Sequence, residues 1–176
     1  MSSRGLRFAS LFFVALALMA SGAHLLALPN KIDLSGPDYL IVQQIYRGWA
    51  WLGIVIAGAI VTIALAAWSA RDRNDVFQPT LLALALMLGT QALFWIFNFP
   101  ANQDTHNWTT LPSHWESMRR QWEYAHAGSA LLPLGAMAAL VHAVVRGEST
   151  AANSSRPAGA AVGRTRGYHD LEEVEA

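Results

Sequence analysis

The chain contains no cysteine, and few of its residues are charged. Without thiols there are no disulfides, zinc fingers, iron–sulfur clusters or cysteine nucleophiles. Charged residues make up 14% of the 176 residues, whereas an ordinary soluble domain has about 25%. The 12 basic and 12 acidic residues cancel, so we expect no nucleic-acid partner. Apolar residues reach 53%, and the remaining class is an integral membrane protein.

Four long apolar stretches predict four transmembrane helices. A helix needs about 20 apolar residues to cross a hydrocarbon core of about 30 Å. The stretches are rich in Ala and Leu and do not alternate, which disfavours the strands of a β-barrel. They cover residues 8–28, 49–70, 80–99 and 121–145. We therefore predict an all-α four-helix transmembrane bundle over residues 1–146.

The remaining residues, 147–176, are rich in Ala, Gly, Ser and Arg and end in an acidic run. Such a composition cannot bury a core, so we predict a disordered cytoplasmic tail. At the other end, Arg4 and Arg7 precede an apolar run with a small-residue Ser21-Gly22-Ala23 segment, which leaves a cleaved signal peptide as an alternative to the first span. The apolar run continues past that segment to Leu28 and is longer than the usual hydrophobic region of a signal peptide, which favours a retained helix.

The distribution of basic residues predicts the orientation in the membrane. One side carries eight basic residues, namely Arg4, Arg7, Arg71, Arg73, Arg146, Arg156, Arg164 and Arg166. The other side carries four, namely Lys31, Arg47, Arg119 and Arg120. Because the side richer in Lys and Arg stays inside, both termini are predicted to face the cytoplasm from a plasma or inner membrane. The two longer loops, at residues 29–48 and 100–120, then face outward.

Ionisable residues fall inside two of the predicted spans. At 100° per residue, Arg119, Glu123 and His126 share one narrow face of the fourth helix with Trp122. His24 lies near the outward end of the first helix, so it is predicted at a depth comparable to that of His126. Since a charge at the centre of a span costs about 2.5–3.5 kcal/mol, each of these groups needs a partner or a function.

Three interpretations of this polar cluster remain open at this point. Arg119 and Glu123 have the i, i+4 spacing of a structural ion pair, with His24 and His126 as hydrogen-bonding groups between helices. His24, Glu123 and His126 also supply the two imidazoles and one carboxylate of a non-haem iron site. Finally, His24 and His126 lie on different helices at similar depth, as two axial ligands of haem would.

The outer end of the bundle resembles a known family. The run FNFPANQDTHNWTTLPSHWESMRRQWEYAHA, at residues 97–127, resembles the signature of small four-helix membrane proteins that include the anthrone oxygenases. In that family an Asn-x-Pro-x-Asn element ends the third helix, and a Trp…His element opens the fourth. The matching positions are Asn98, Pro100, Asn102, Trp122 and His126.

The resemblance implies a membrane oxidase or oxygenase that uses dioxygen on a lipophilic aromatic or quinone-type substrate, with no bound cofactor. His126 is then the expected general base, with Glu123 holding its tautomer. Arg119 and Arg120, with Asn98 and Asn102, are expected to stabilise the developing oxyanion. The expected substrate-binding residues are Asn98, Asn102, Trp95, Trp115, Trp122, Tyr46 and Arg47.

A second class of function stays open beside the oxidase. The chain is also suited to a non-enzymatic membrane protein that binds a lipid or small molecule, or to a small subunit of a membrane complex. The second span contains GAIVTIALAAWSA, whose small residues allow close helix packing either within the chain or between copies in a homo-oligomer. The expected partners are therefore the lipid bilayer, a lipophilic small molecule and a second copy of the chain.

Overall fold

A computed structural model describes residues 3–154, with side chains through residue 149. Within this range the chain is helical and forms no strand. The α-helices are α1 (Ser3–Lys31), α2 (Gly36–Gln43), α3 (Leu52–Ser69), α4 (Asn74–Leu93), α5 (Phe99–Asp104) and α6 (Trp115–Ser154). Two 3-10 turns at Gln44–Tyr46 and Trp49–Trp51 connect α2 to α3, and a π-helical segment at Phe94–Asn98 joins α4 to α5.

The described residues contain four helices that are long and apolar enough to cross a membrane, so the predicted membrane helix bundle is confirmed at that level. These helices cover Ser3–Lys31, Trp49–Ser69, Asn74–Asp104 and Trp115–Ser149. Three of them begin or end several residues beyond the predicted apolar runs, because polar residues continue each helix past the hydrocarbon core. Helix α6 continues to Ser154, past the boundary predicted at residue 146. The rest of the predicted tail, residues 155–176, lies outside the described residues.

Pro100 does not end the third span as the sequence predicts. It lies in the first turn of α5, directly after a π-helical segment, and a proline is best tolerated in the first turn of a helix. The preceding segment widens into a π-helix, and the backbone N–H of Phe99 donates to the carbonyl of Phe94. The helix therefore continues past Pro100 and carries Asn102 to the end of the bundle where the two longer loops lie.

Small residues let the four spans pack closely within one chain. Helix α1 packs against α3 and α6, and α4 packs against the other sides of the same two helices. Ala59 and Ile63 of α3 are fully buried, and a Cβ atom added at Gly58 would lie 2.8 Å from the ring of Phe13. The small-residue segment of the second span thus serves packing inside this chain.

The two longer loops form a folded cap on one end of the bundle. Tyr39 of α2 and Trp108 of the loop after α5 are buried with Met118 and Trp122 of α6. Ser35 caps the N-terminus of α2, where its hydroxyl oxygen accepts from the backbone N–H of Asp38. Because the cap covers the ends of α1 and α6, polar residues at this end of the bundle are shielded from solvent.

Candidate functional site

A buried ion pair lies between the end of α1 and the first turns of α6. Lys31 Nζ is 2.9 Å from Glu123 Oε2, and the two residues are 3% and 0% exposed. The other carboxylate oxygen, Oε1, accepts a hydrogen bond from the hydroxyl of Tyr39 at 2.9 Å. Gln43, one turn further along α2, donates to that hydroxyl oxygen and lies 3.5 Å from Glu123 Oε1. Both oxygens of Glu123 thus have a donor.

The environment of Tyr39 keeps its phenol protonated. Burial and then the negative charge of Glu123 raise the pKa of Tyr39 above its ordinary value of 10.0. A protonated phenol is the form that donates a hydrogen bond to a carboxylate, as Tyr39 does to Glu123.

The partner of Glu123 differs from the one that helical spacing suggests. Arg119, four residues earlier on α6, donates from Nη1 to the carbonyl oxygen of Leu34 at 2.6 Å. Its guanidinium lies 4.7 Å from the ring centroid of Trp115. The cap places a backbone carbonyl and an aromatic face beside Arg119, whereas the end of α1 places Lys31 beside Glu123. In place of the expected ion pair between Arg119 and Glu123 within α6, Glu123 pairs with Lys31 of α1.

The two histidines predicted at similar depth do meet. The rings of His24 and His126 are stacked with their centroids 4.1 Å apart and an angle of 11° between their planes. Tyr46 stacks on His24 at 4.2 Å, and Trp122 presents its edge to both imidazoles. Glu123 makes no hydrogen bond to His126 among those of the described residues, because Lys31 and Tyr39 occupy its carboxylate. The carboxylate therefore does not hold the His126 tautomer as expected.

The donor arrangement gives the metal interpretations no support. Imidazole nitrogens bind metals in the plane of the ring, so two face-to-face rings do not point at one ion between them as axial haem ligands do. Iron binding by His24, Glu123 and His126 would require the carboxylate to leave Lys31 and Tyr39. Over the part of the chain with described side chains, no group of three or more His, Asp or Glu residues is placed to hold a metal ion. Iron and haem stay predictions.

A cavity of about 890 Å³ opens beside the stacked histidines. It extends from Met87 and Pro133, within the spans, to the loop after α5. The predicted site residues that line it are His24, Tyr46, Arg47, Trp95, Asn98, Asn102, Trp122 and His126. Those that do not line it are Trp115, Arg119, Arg120 and Glu123. Arg119 and Glu123 are buried under the cap, and Arg120 is exposed.

Asn98 and Asn102 fix the position of Trp122 in the cavity wall. The side-chain amide of Asn98 donates to the carbonyl oxygen of Trp122 at 3.0 Å. The indole N–H of Trp122 donates to Asn102 Oδ1 at 2.8 Å. The Asn-x-Pro-x-Asn element therefore binds α6 at two points, on the backbone and on the side chain of one residue. This orientation holds Trp122 against both histidines.

The outer rim of the cavity has a strained backbone. His106, Asn107 and Trp108 adopt positive φ angles of 49°, 56° and 59°, a region that non-glycine residues rarely occupy. The Trp108 N–H donates to the Thr105 hydroxyl at 3.0 Å, and its carbonyl accepts from Gln44 at 3.2 Å. These contacts hold the rim in place above the cavity.

Lys31, Tyr39 and Gln43 belong to the site but were not among the predicted site residues. The sequence does carry one signal for Lys31, since it is the only lysine beside eleven arginines. Tyr39 and Gln43 are four residues apart in the short helix α2. This spacing places them on one face of α2 but does not indicate that the face contacts α6. The path of the chain through the cap brings them there.

No protein-family model matches the chain, and neither curated proteins nor solved structures give a match.

Proposed function

We propose that this multi-pass membrane protein binds a lipophilic aromatic molecule in the cavity and oxidises it with dioxygen, without a resident cofactor, as the resemblance to anthrone oxygenases implies. One observation carries the proposal: a stacked histidine pair and several aromatic rings border the same large cavity within a membrane bundle.

The size and lining of the cavity support a polycyclic aromatic ligand. A volume of about 890 Å³ lies within the range of about 300–1,000 Å³ typical of small-molecule sites. Trp49, Trp95, Trp122 and Tyr46 offer aromatic surfaces on which a flat ring system stacks. The cavity adjoins the spans, so a lipophilic molecule reaches it from the bilayer.

The polar atoms around the cavity also support a bound molecule. Four residues that line it carry a buried side-chain atom that has no hydrogen-bond partner among the described residues: His24 Nδ1, Gln43 Oε1, Asn98 Oδ1 and Trp108 Nε1. An unsatisfied buried polar atom costs about 1–3 kcal/mol. Four unsatisfied polar atoms around one cavity are typical of a functional site and disfavour a purely structural role for the residues that carry them.

The reaction proposed is the conversion of a ring methylene to a carbonyl. His126 removes one methylene proton, and the resulting carbanion transfers an electron to dioxygen. The two radicals combine in a C–O bond, and the proton on His126 passes to the peroxide. Loss of the second methylene proton with cleavage of the O–O bond leaves the carbonyl, and the departing oxygen atom becomes water. The substrate supplies all the electrons that reduce dioxygen.

In this proposal a residue takes part in the reaction only if it lines the cavity. His126 is half-buried in its wall and makes no hydrogen bond among those of the described residues, so its nitrogens are free to accept a proton. His24, stacked on it, fixes the plane of the ring. Arg119 and Arg120 lie away from the cavity, and so the oxyanion must be stabilised by other groups.

Non-enzymatic binding of a lipid or small molecule, alone or as a small subunit of a complex, is the second candidate. It is favoured by the roles of Asn98 and Asn102, which both hold Trp122. The Lys31–Glu123 pair likewise connects α1 to α6 whether or not chemistry occurs.

We also propose that both termini face the cytoplasm and that the cap faces outward. Two of the four basic residues at the cap end, Lys31 and Arg119, are buried in contacts within the protein. Among the basic residues whose side chains are described, none of the five at the other end, Arg4, Arg7, Arg71, Arg73 and Arg146, is buried in this way, which supports the proposed orientation.

The proposed function is tested by replacing His126 in the full-length protein purified in mild detergent. His126→Ala should lower anthrone oxidation, followed by oxygen uptake and quinone absorbance, about 100-fold or more, the usual contribution of a general base. His142→Ala is the matched control, because His142 is exposed on the same helix and does not line the cavity.

Three results separate the candidates. Anthrone turnover at the wild-type rate in His126→Ala would contradict the proposed mechanism. Binding of anthrone, measured by quenching of tryptophan fluorescence, with no oxygen uptake in the wild type would favour the non-enzymatic candidate. One iron per chain in elemental mass spectrometry, lost in His126→Ala, would contradict oxidation without a cofactor.

A further inference from the structure

Tyr46 connects the buried ion pair to the cavity. Its hydroxyl oxygen accepts a hydrogen bond from Lys31 Nζ at 2.8 Å. The same residue lines the cavity and stacks on His24 with ring centroids 4.2 Å apart. Lys31 itself does not line the cavity, and Tyr46 is a cavity residue to which it donates a hydrogen bond.

The hydrogen bond from Lys31 leaves the proton of Tyr46 available. A phenol both donates and accepts, and here the accepting oxygen is directed at Lys31. Among the hydrogen bonds of the described residues, none has Tyr46 as the donor. A phenol that accepts from an ammonium group becomes a stronger donor through its own O–H, because successive hydrogen bonds polarise one another.

Glu123 and Tyr46 hold the ammonium group of Lys31 between them. The carboxylate holds Nζ at 2.9 Å, and it is itself held by Tyr39. Lys31 Nζ also lies 4.7 Å from the ring centroid of Tyr46 and 5.5 Å from that of Trp122. The ammonium is thus fixed between aromatic rings, with its nearest contact to the cavity made through the Tyr46 hydroxyl.

We propose that Tyr46, polarised by Lys31, forms a subsite for the oxyanion of the ligand, so that the cavity selects acidic hydroxylated aromatics bound as phenolates or enolates. The proposal rests on the proposed function only in taking the cavity as the ligand site. It assigns to Tyr46 the stabilisation of the oxyanion that the sequence assigns to Arg119 and Arg120. Lys31 is a positioning residue, since it acts through Tyr46.

Arg47 is the competing cation, because it also lines the cavity. Its guanidinium is exposed and donates to Gln44 Oε1 at 2.7 Å. A solvent-exposed charge is screened by water and salt, whereas the Lys31–Tyr46 pair is shielded. The two origins of anion binding are therefore distinguishable by substitution and by salt.

The test measures the ionisation of a bound probe, not oxidation. A nitronaphthol, whose visible absorption changes when it ionises, is titrated with pH in protein-containing and protein-free micelles. The wild type should lower the pKa of the bound probe by at least about one unit, which corresponds to a tenfold preference for the anion. Tyr46→Phe should abolish most of this shift, and Arg47→Gln should not.

Two further variants address Lys31 and the integrity of the cavity. Lys31→Met combined with Glu123→Gln removes the ammonium without leaving an unpaired buried charge, and it should reduce the shift as Tyr46→Phe does. Tyr124→Phe is the matched control, because Tyr124 is 59% exposed and lies outside the cavity. The methyl ether of the probe, which cannot ionise, should bind wild type and Tyr46→Phe with the same affinity.

The subsite is rejected if the bound probe has its ordinary pKa, if the shift survives in Tyr46→Phe, or if neither the probe nor its methyl ether binds. A shift lost in Arg47→Gln and in high salt would assign anion binding to Arg47 instead. A protein that prefers the anion yet oxidises nothing would keep the subsite and reject the oxidase. Oxidation that depends on His126 without any preference for the anion would reject the subsite alone.

Discussion

The pairing of Lys31 with Glu123 predicts a strong energetic coupling between the end of α1 and the start of α6. The residues are 3% and 0% exposed, with 2.9 Å between Nζ and Oε2. Glu123→Gln retains an oxygen that accepts from Tyr39 but removes the counter-ion of Lys31. Breaking a buried pair in this way costs about 3–5 kcal/mol, because one charge stays buried without compensation.

Removing both charges should cost less than the sum of the two single changes. Lys31→Met leaves Glu123 with its bond from Tyr39, so we expect this variant to lose no more stability than Glu123→Gln. The double variant contains no uncompensated charge. We therefore expect a coupling free energy of about 2 kcal/mol or more, within the range of residues in direct contact.

The free energies are measured by reversible unfolding of the detergent-solubilised protein on titration with sodium dodecyl sulfate, followed by circular dichroism. Glu116→Gln is the control, because Glu116 is exposed in the first turn of the same helix and should change stability by less than about 0.5 kcal/mol. If the double variant loses the full sum of the single losses, the two side chains do not interact and the reasoning fails.

The remaining predictions concern topology and pH. The chain lacks cysteine, so a single introduced cysteine reports on its own position. Asp104→Cys in the cap should react with a membrane-impermeant maleimide in intact cells, whereas Asp72→Cys should react only after the cells are permeabilised. The reverse pattern would contradict the proposed orientation. Because the pKa of Tyr39 is raised in the folded protein, the unfolded state loses this proton near pH 10 while the folded state keeps it. Stability should therefore be complete below pH 10 and fall above it by up to about 1.4 kcal/mol per pH unit. Between pH 8 and about 11 the free energy of unfolding should fall less steeply with pH in Tyr39→Phe than in the wild type. Equal slopes in the two proteins would contradict the raised pKa of Tyr39.

The four spans can be predicted from the sequence because each depends only on the length and hydropathy of its own segment. Each apolar run is long enough for the hydrocarbon core, and no contact between helices is needed to see this. The meeting of His24 and His126 also follows from counting residues along each helix, since equal depth at the same end of the bundle brings them near one another.

The extension of the third span past Pro100 is not determined in the same way. The sequence shows a residue that interrupts helical hydrogen bonding. Whether the chain stops or absorbs the interruption depends on its neighbours. Here the π-helical turn is held by contacts of Asn98 and Asn102 with Trp122, and these exist only when α6 is in place.

Composition and the apolar runs are enough to predict the membrane class and the number of spans, and counting residues along each helix predicts the similar depth of the two histidines. The pairing of Glu123 with Lys31 rather than Arg119, and the hydrogen bond that joins Tyr46 to this pair, are seen only in the folded protein. The thickness of the bilayer sets the number of apolar residues that a span needs, so each span can be predicted from its own segment of the sequence. The choice of a charged partner depends on the rotation of α6 and on the path of the cap, and both arise from packing between segments far apart in the chain.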